Sequence, residues 1–126
     1  MKKVIFTTEA PAAIGTYSQA IQEGRTIYLS GQIPLVAETM DLISEDVDDQ
    51  INQVFDNLSA VLHAAGASLA DVVKFTVYLT DLTDFPQVNE IMAQRLAEPF
   101  PARAAVQVAA LPKGAKVEID AIARME

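Results

Sequence analysis

Apolar residues recur along this chain at two spacings, and these mark out its strands and helices. Val4 to Thr7 reads as a first short strand. Ser18 to Gln22 and Arg25 to Gly31 follow, joined by Glu23-Gly24, a dipeptide suited to a two-residue hairpin turn, with Pro34 closing the second of them. The i, i+3, i+4, i+7 stripe of Ile51, Val54, Phe55, Leu58, Val61, Leu62 and Ala65 predicts an amphipathic helix. Ser44 is placed to cap it, Glu45, Asp46, Asp48 and Asp49 suit its positive end, and Gly66 can end it. Alternation returns from Val72 to Thr80, with Phe75, Val77 and Leu79 on one side and Lys74, Thr76, Tyr78 and Thr80 on the other. A second helix opens near Asp84 with Pro86 in its first turn, turns Phe85, Val88, Met92 and Leu96 inward, and stops before Pro99.

Two strands close the chain. From Ala104 to Ala109 the apolar set is Ala104, Val106 and Val108, against Arg103, Ala105 and Gln107; from Val117 to Ala123 it is Val117, Ile119 and Ala121, against Glu118, Asp120 and Ile122. Side chains alternate across a sheet, so this pattern predicts that Arg103 and Asp120 both lie on the face away from the core. The order βββαβαββ, with no linker, repeat or low-complexity tract, describes one α+β domain over residues 1–126. Two helices suffice for one face of six strands. The other, rich in Ala, Thr, Tyr and Gln, reads as an association surface, and a homo-oligomer is expected.

Composition narrows the chemistry. Cysteine is absent, which excludes disulfides, thiolate metal sites and a Cys nucleophile. The one histidine, His63, lies off the apolar stripe and reads as an exposed helix residue; with it alone no Ser-His pair or His-rich metal site is expected. Nine Lys+Arg against 17 Asp+Glu give a net charge of −8, the wrong sign for holding phosphates, so no nucleic-acid partner is expected. Six of the acids fall between Glu38 and Asp49, where a solvated loop leading into the helix accounts for them. The glycines are scattered, without the spacing of a phosphate loop. No apolar run approaches the ~18 residues of a membrane span. No export signal is seen either, and a cytoplasmic location is the expectation.

Three polar positions stand out. Arg103 enters a strand built otherwise of Ala and Val, as either a structural ion-pair partner or a fork for a carboxylate. Gly31, in Ser30-Gly31-Gln32, ends a strand where a bend or a close backbone approach is served equally. Asp120, between Ile119 and Ala121, is placed to pair with a cation or to hold a water as general base.

These residues sit in a longer pattern: Ala10-Pro11-Ala12-Ala13-Ile14-Gly15 with Tyr17-Ser18-Gln19-Ala20; Ser30-Gly31-Gln32-Ile33-Pro34; Asp81-Leu82 with Asp84-Phe85 and Val88-Asn89; and Phe100-Pro101-Ala102-Arg103-Ala104-Ala105-Val106 through Leu111-Pro112-Lys113 to Val117-Glu118-Ile119-Asp120-Ala121-Ile122-Ala123. Over nearly its whole length the chain resembles the RidA (YjgF-type) enamine/imine deaminase family. The resemblance implies a chorismate-mutase-like fold with a six-stranded mixed sheet, and a homotrimer with sites between subunits. It implies hydrolysis of 2-imino acids, such as those released by PLP-dependent dehydratases, to 2-oxo acids and ammonia, with no cofactor. By the same likeness Arg103 would hold the substrate carboxylate and Asp120 the attacking water. Backbone groups at Gly31 and Ala105 would line the site, with Tyr17, Ser30 and Asn89 around it. The chain departs from the family in having Asp120 where Glu is common, Ala105 for Cys or Ser, Thr16 for Pro, and a shorter stretch from Asn89 to Arg103. A binding module for small 2-oxo or imino acids, without turnover, is the competing expectation.

Overall fold

A computed structural model describes residues Met1–Glu126. In chain order the elements are β1 (Lys2–Ile5), β2 (Ala20–Glu23), β3 (Thr26–Gln32), α1 (Val47–Ala64), β4 (Val72–Leu79), α2 (Phe85–Arg95), β5 (Ala102–Gln107) and β6 (Val117–Arg124). The strands form one sheet in the order β1-β2-β3-β6-β4-β5, antiparallel throughout except for β4 against β5. That parallel pair needs a crossover, and α2 supplies it. The result is the expected α+β fold with a mixed sheet. No helix is long and apolar enough to cross a membrane.

The core lies between the helices and one face of the sheet. Ile51, Val54, Phe55, Leu58, Val61 and Leu62 are fully buried along α1, the stripe that the periodicity predicts. They face Ile27 and Leu29 of β3, Phe75, Val77 and Leu79 of β4, and Val117, Ile119, Ala121 and Ala123 of β6. Phe55 meets Phe75 edge to face at 5.6 Å. Two buried amides on α1 tie irregular chain to this core. The Gln50 side chain accepts from Lys116 N and donates to Ser44 O, while Asn57 Nδ2 donates to Leu35 O. Buried polar groups persist where they are paired in this way.

Several local expectations shift. The N-cap of α1 is Asp46, whose side chain accepts from Asp49 N, rather than Ser44. Ser44 Oγ sits one step out, accepting from Asp46 N and donating to Asp49 Oδ2. Gly66 follows the helix end at φ +80°, a conformation open to glycine.

The larger correction concerns β5. Its register pairs Phe75 with Arg103, Val77 with Ala105 and Leu79 with Gln107, so these three face the helices, while Ala102, Ala104 and Val106 face the open side. β6 keeps the expected assignment, with Asp120 opposite Thr76 on the open face. Arg103 and Asp120 therefore lie on opposite faces of the sheet within one chain. Alternation misleads here because β5 is the outermost strand, five of its six residues are exposed, and neither side is apolar enough to mark the core.

Candidate functional site

Arg103 projects from β5 toward α2. Its Nη1 donates to Asn89 Oδ1 at 3.1 Å and approaches Met92 Sδ at 3.7 Å, and its guanidinium carbon stands 4.7 Å from the centre of the Phe85 ring. All three partners are neutral. The structure's ion pair, Arg95 with Asp56 at 2.8 Å, is elsewhere, where it pins α2 to α1. A guanidinium held by an amide, a thioether and an aromatic face keeps its full charge for an external anion. Hollows open on both flanks. One of about 360 Å³ is lined by Asn89, Met92, Ala93, Leu96, Phe100, Pro101 and Arg103. The other is lined by Leu82, Phe85, Arg103 and Ala105.

A second cluster forms around the end of β3. The pairing of β3 with β6 slips between Leu29 and Gln32, a bulge that carries Ser30 and Gly31. Ser30 N donates to Gln19 O at 3.0 Å and Ser30 Oγ to Ser18 O at 2.6 Å, which ties Ser18-Gln19, the two residues after the exposed Tyr17, to the bulge. At Gly31 a Cβ would overlap the carboxylate of Glu118 and lie 3.0 Å from its Cδ. The close approach that glycine permits here is thus made by an acid of the same chain. Burial, and then the charge of Asp120, push the Glu118 carboxyl above the usual carboxylate range.

Asp120 lies on the same face, two residues along β6. Its Oδ2 accepts a hydrogen bond from the Tyr78 hydroxyl at 2.9 Å. That bond, followed by burial and by the charges of Asp120 and Glu118, raises the Tyr78 hydroxyl. No three His, Cys, Asp or Glu side chains converge as a metal cage.

The anticipated residues thus fall into two groups. Ser30 and Gly31 sit at the bulge, with Tyr17 just before the segment bonded to it; Arg103, Asn89 and Ala105 gather at the outer strand. Asp120 joins neither directly. Since β6 and β4 intervene, β3 and β5 are three strand spacings apart, about 14 Å. Glu118, Tyr78, Phe85 and Met92 were not among the anticipated site residues. Glu118 was legible in principle, because it shares the alternation phase of Asp120 and only a glycine leaves room for it on β3.

The family model described as Endoribonuclease L-PSP matches residues 7–125. The chain is 50% identical over 126 residues to a protein of Pyrococcus horikoshii named RutC family protein, covering 100% of both. It is 50% identical over 123 residues to the human 2-iminobutanoate/2-iminopropanoate deaminase, covering 98% of this chain and 90% of the human one. The crystal structure of RidA from an Antarctic Psychrobacter aligns with a TM-score of 0.94 at 56% identity, covering 98% of this chain and 99% of that one.

Proposed function

The chain belongs to the YjgF/RidA family, described also as Endoribonuclease L-PSP, and from that premise we propose that it hydrolyses small 2-imino acids to 2-oxo acids and ammonia. The observation that carries this reading is the Arg103 guanidinium, held on neutral partners and therefore available to a carboxylate. Two parallel hydrogen bonds from its fork fix the substrate carboxylate and hence the neighbouring imine carbon.

The acid that acts on water is, in this reading, Glu118. It lies against Gly31, and its raised proton affinity suits a general base, whereas Asp120 is engaged by Tyr78. Glu118 takes a proton from water as the oxygen bonds to the imine carbon. The imine nitrogen, already protonated, takes up the C=N electron pair to give a neutral carbinolamine. Glu118 returns its proton to that nitrogen, the C–N bond breaks to release ammonia, and the hydroxyl proton passes to Glu118 as the carbonyl forms. Imine plus water gives 2-oxo acid plus ammonia without any change of oxidation state.

Arg103 and Glu118 of one chain are too far apart, and on opposite faces, to act together. We therefore place the site between copies, with the outer strand of one protomer meeting the bulge of another in a homotrimer. Exposed Val4, Tyr28 and Val106 on the open face support such an association. The proposed setting is cytoplasmic, clearing reactive imines left by amino-acid dehydratases. Net charge −8 weighs against RNA as substrate.

Ammonia release from freshly generated 2-iminobutanoate tests the reading. Arg103→Ala should lower kcat/KM roughly 100-fold or more, since hydrogen bonds to charged groups contribute ~1.5–3 kcal/mol each. Arg103→Lys should recover little, because an ammonium lacks the planar fork. The competing reading, a binding module, takes support from Ala105, whose methyl offers no reactive group; it predicts 2-oxo acid binding with no ammonia released.

A further inference from the structure

Three ionisable side chains meet on the open face, and the chemistry proposed above uses one of them. β6 carries Glu118 and Asp120 on the same side, about 7 Å apart along the strand. β4 sets Tyr78 directly opposite Glu118, and its hydroxyl reaches on to Asp120 Oδ2 at 2.9 Å. The nearest other surroundings carry no charge, and Tyr28 of β3, opposite Ile122, is the next titratable group on this face. β3 presents Gly31 against Glu118, β4 presents Thr76 opposite Asp120, and β5 contributes Ala104 and Val106. The cations of this face, Lys74 opposite Ile122 and Arg124 at the strand end, lie beyond Asp120. Lys116 turns away, its Nζ donating to Glu45 O. In the assembled site proposed above, Arg103 of a second copy joins the group.

We infer that Asp120 and Tyr78 form a positioning couple for Glu118, in which the hydroxyl fixes the Asp120 carboxylate and so holds a negative charge on the same strand face as Glu118. The hydroxyl donates to Asp120 Oδ2 and so holds the carboxylate stationary. A stationary negative charge two residues away disfavours ionisation of Glu118, in the same sense as its burial. Because both acids also oppose loss of the Tyr78 proton, the hydroxyl remains a donor through neutral pH. Asp120 is thus a positioning residue that acts through Glu118. As a mechanistic statement, this rests on Glu118 being the group that activates water.

The test pairs kinetics with a readout independent of turnover. The pH profile of kcat/KM for 2-iminobutanoate is measured in the wild type, Asp120→Asn, Tyr78→Phe and Glu118→Gln. In parallel, the Glu118 carboxyl is titrated by ¹³C NMR of glutamate-labelled protein, assigned by its loss in Glu118→Gln. Removing the negative charge should lower the proton affinity of Glu118. In Asp120→Asn the acid limb and the NMR midpoint should both move to lower pH, by about half a unit to one unit. Tyr78→Phe should move both the same way by less, since the charge remains but is no longer held. An unmoved Glu118 midpoint in Asp120→Asn overturns the couple. Failure of the function reads differently: without ammonia from the wild type, or with full activity in Glu118→Gln, the catalytic reading falls, while the NMR midpoint still decides whether Asp120 governs Glu118.

Discussion

Gly31 shows how much a single residue discloses. Its place at a strand end serves a bend or a close approach equally, and does not say what approaches. The answer, the Glu118 carboxylate, depends on the slip in register between β3 and β6, which only tertiary pairing sets. The atoms that a Cβ would meet are the far end of a flexible side chain, and the Gly31 backbone is not left-handed. Gly31→Ala should therefore displace the carboxylate and leave the strand in place. Equilibrium unfolding in urea should change by less than about 1 kcal/mol. Imine hydrolysis should fall roughly 10- to 100-fold, the effect of misplacing a reacting group by ~1 Å. A large stability loss with intact turnover would assign Gly31 to folding alone.

At the scale of elements, α1 was legible and β5 was not, for one physical reason. Period reports orientation when an element has one buried and one wet side. α1 has a fully buried stripe, and its periodicity located it to within a few residues. β5 is wet on most of both sides, so its Ala and Val residues gave a false core face, and with it a false shared face for Arg103 and Asp120. The start of α1 carried a smaller ambiguity, since Ser44, Asp46 and Asp49 are all capping types within one turn. The structure places Asp46 Oδ2 3.0 Å from Asp49 N. Asp46→Ala should cost about 1 kcal/mol in thermal or urea unfolding. Ser44→Ala should cost less, because Ser44 braces the cap without accepting from the helix itself.

At the scale of the whole molecule, what matters is which groups share a protomer. Placing Arg103 on one face and Glu118 on the other predicts complementation between two inactive chains. Arg103→Ala and Glu118→Gln proteins, each nearly inactive, should regain activity when unfolded and refolded together. If each site takes one group from each of two neighbours, about a quarter of the sites in a random mixture are intact. Recovery to that level, measured as ammonia release, supports a shared site; none at all would mean that both groups serve the same chain. Nothing in a linear alternation pattern could distinguish these cases, because the pattern carries no information about neighbouring copies.

The outermost strands carry a further consequence. β1 ends the sheet on one side with Lys2 and Lys3, charges that discourage a stray strand from pairing there. β5 ends it on the other with Ala102-Arg103-Ala104-Ala105-Val106-Gln107, a row of unpaired peptide groups guarded by a single cation that is already turned toward α2. A newly folded, solitary chain thus exposes an unshielded edge beside a sheet face that leaves Val4, Tyr28 and Val106 open. If the chain assembles as proposed, its solubility should be poorest before assembly, and dilution should lengthen that interval. The same contacts that would complete the chemistry would then also serve as protection against misassembly.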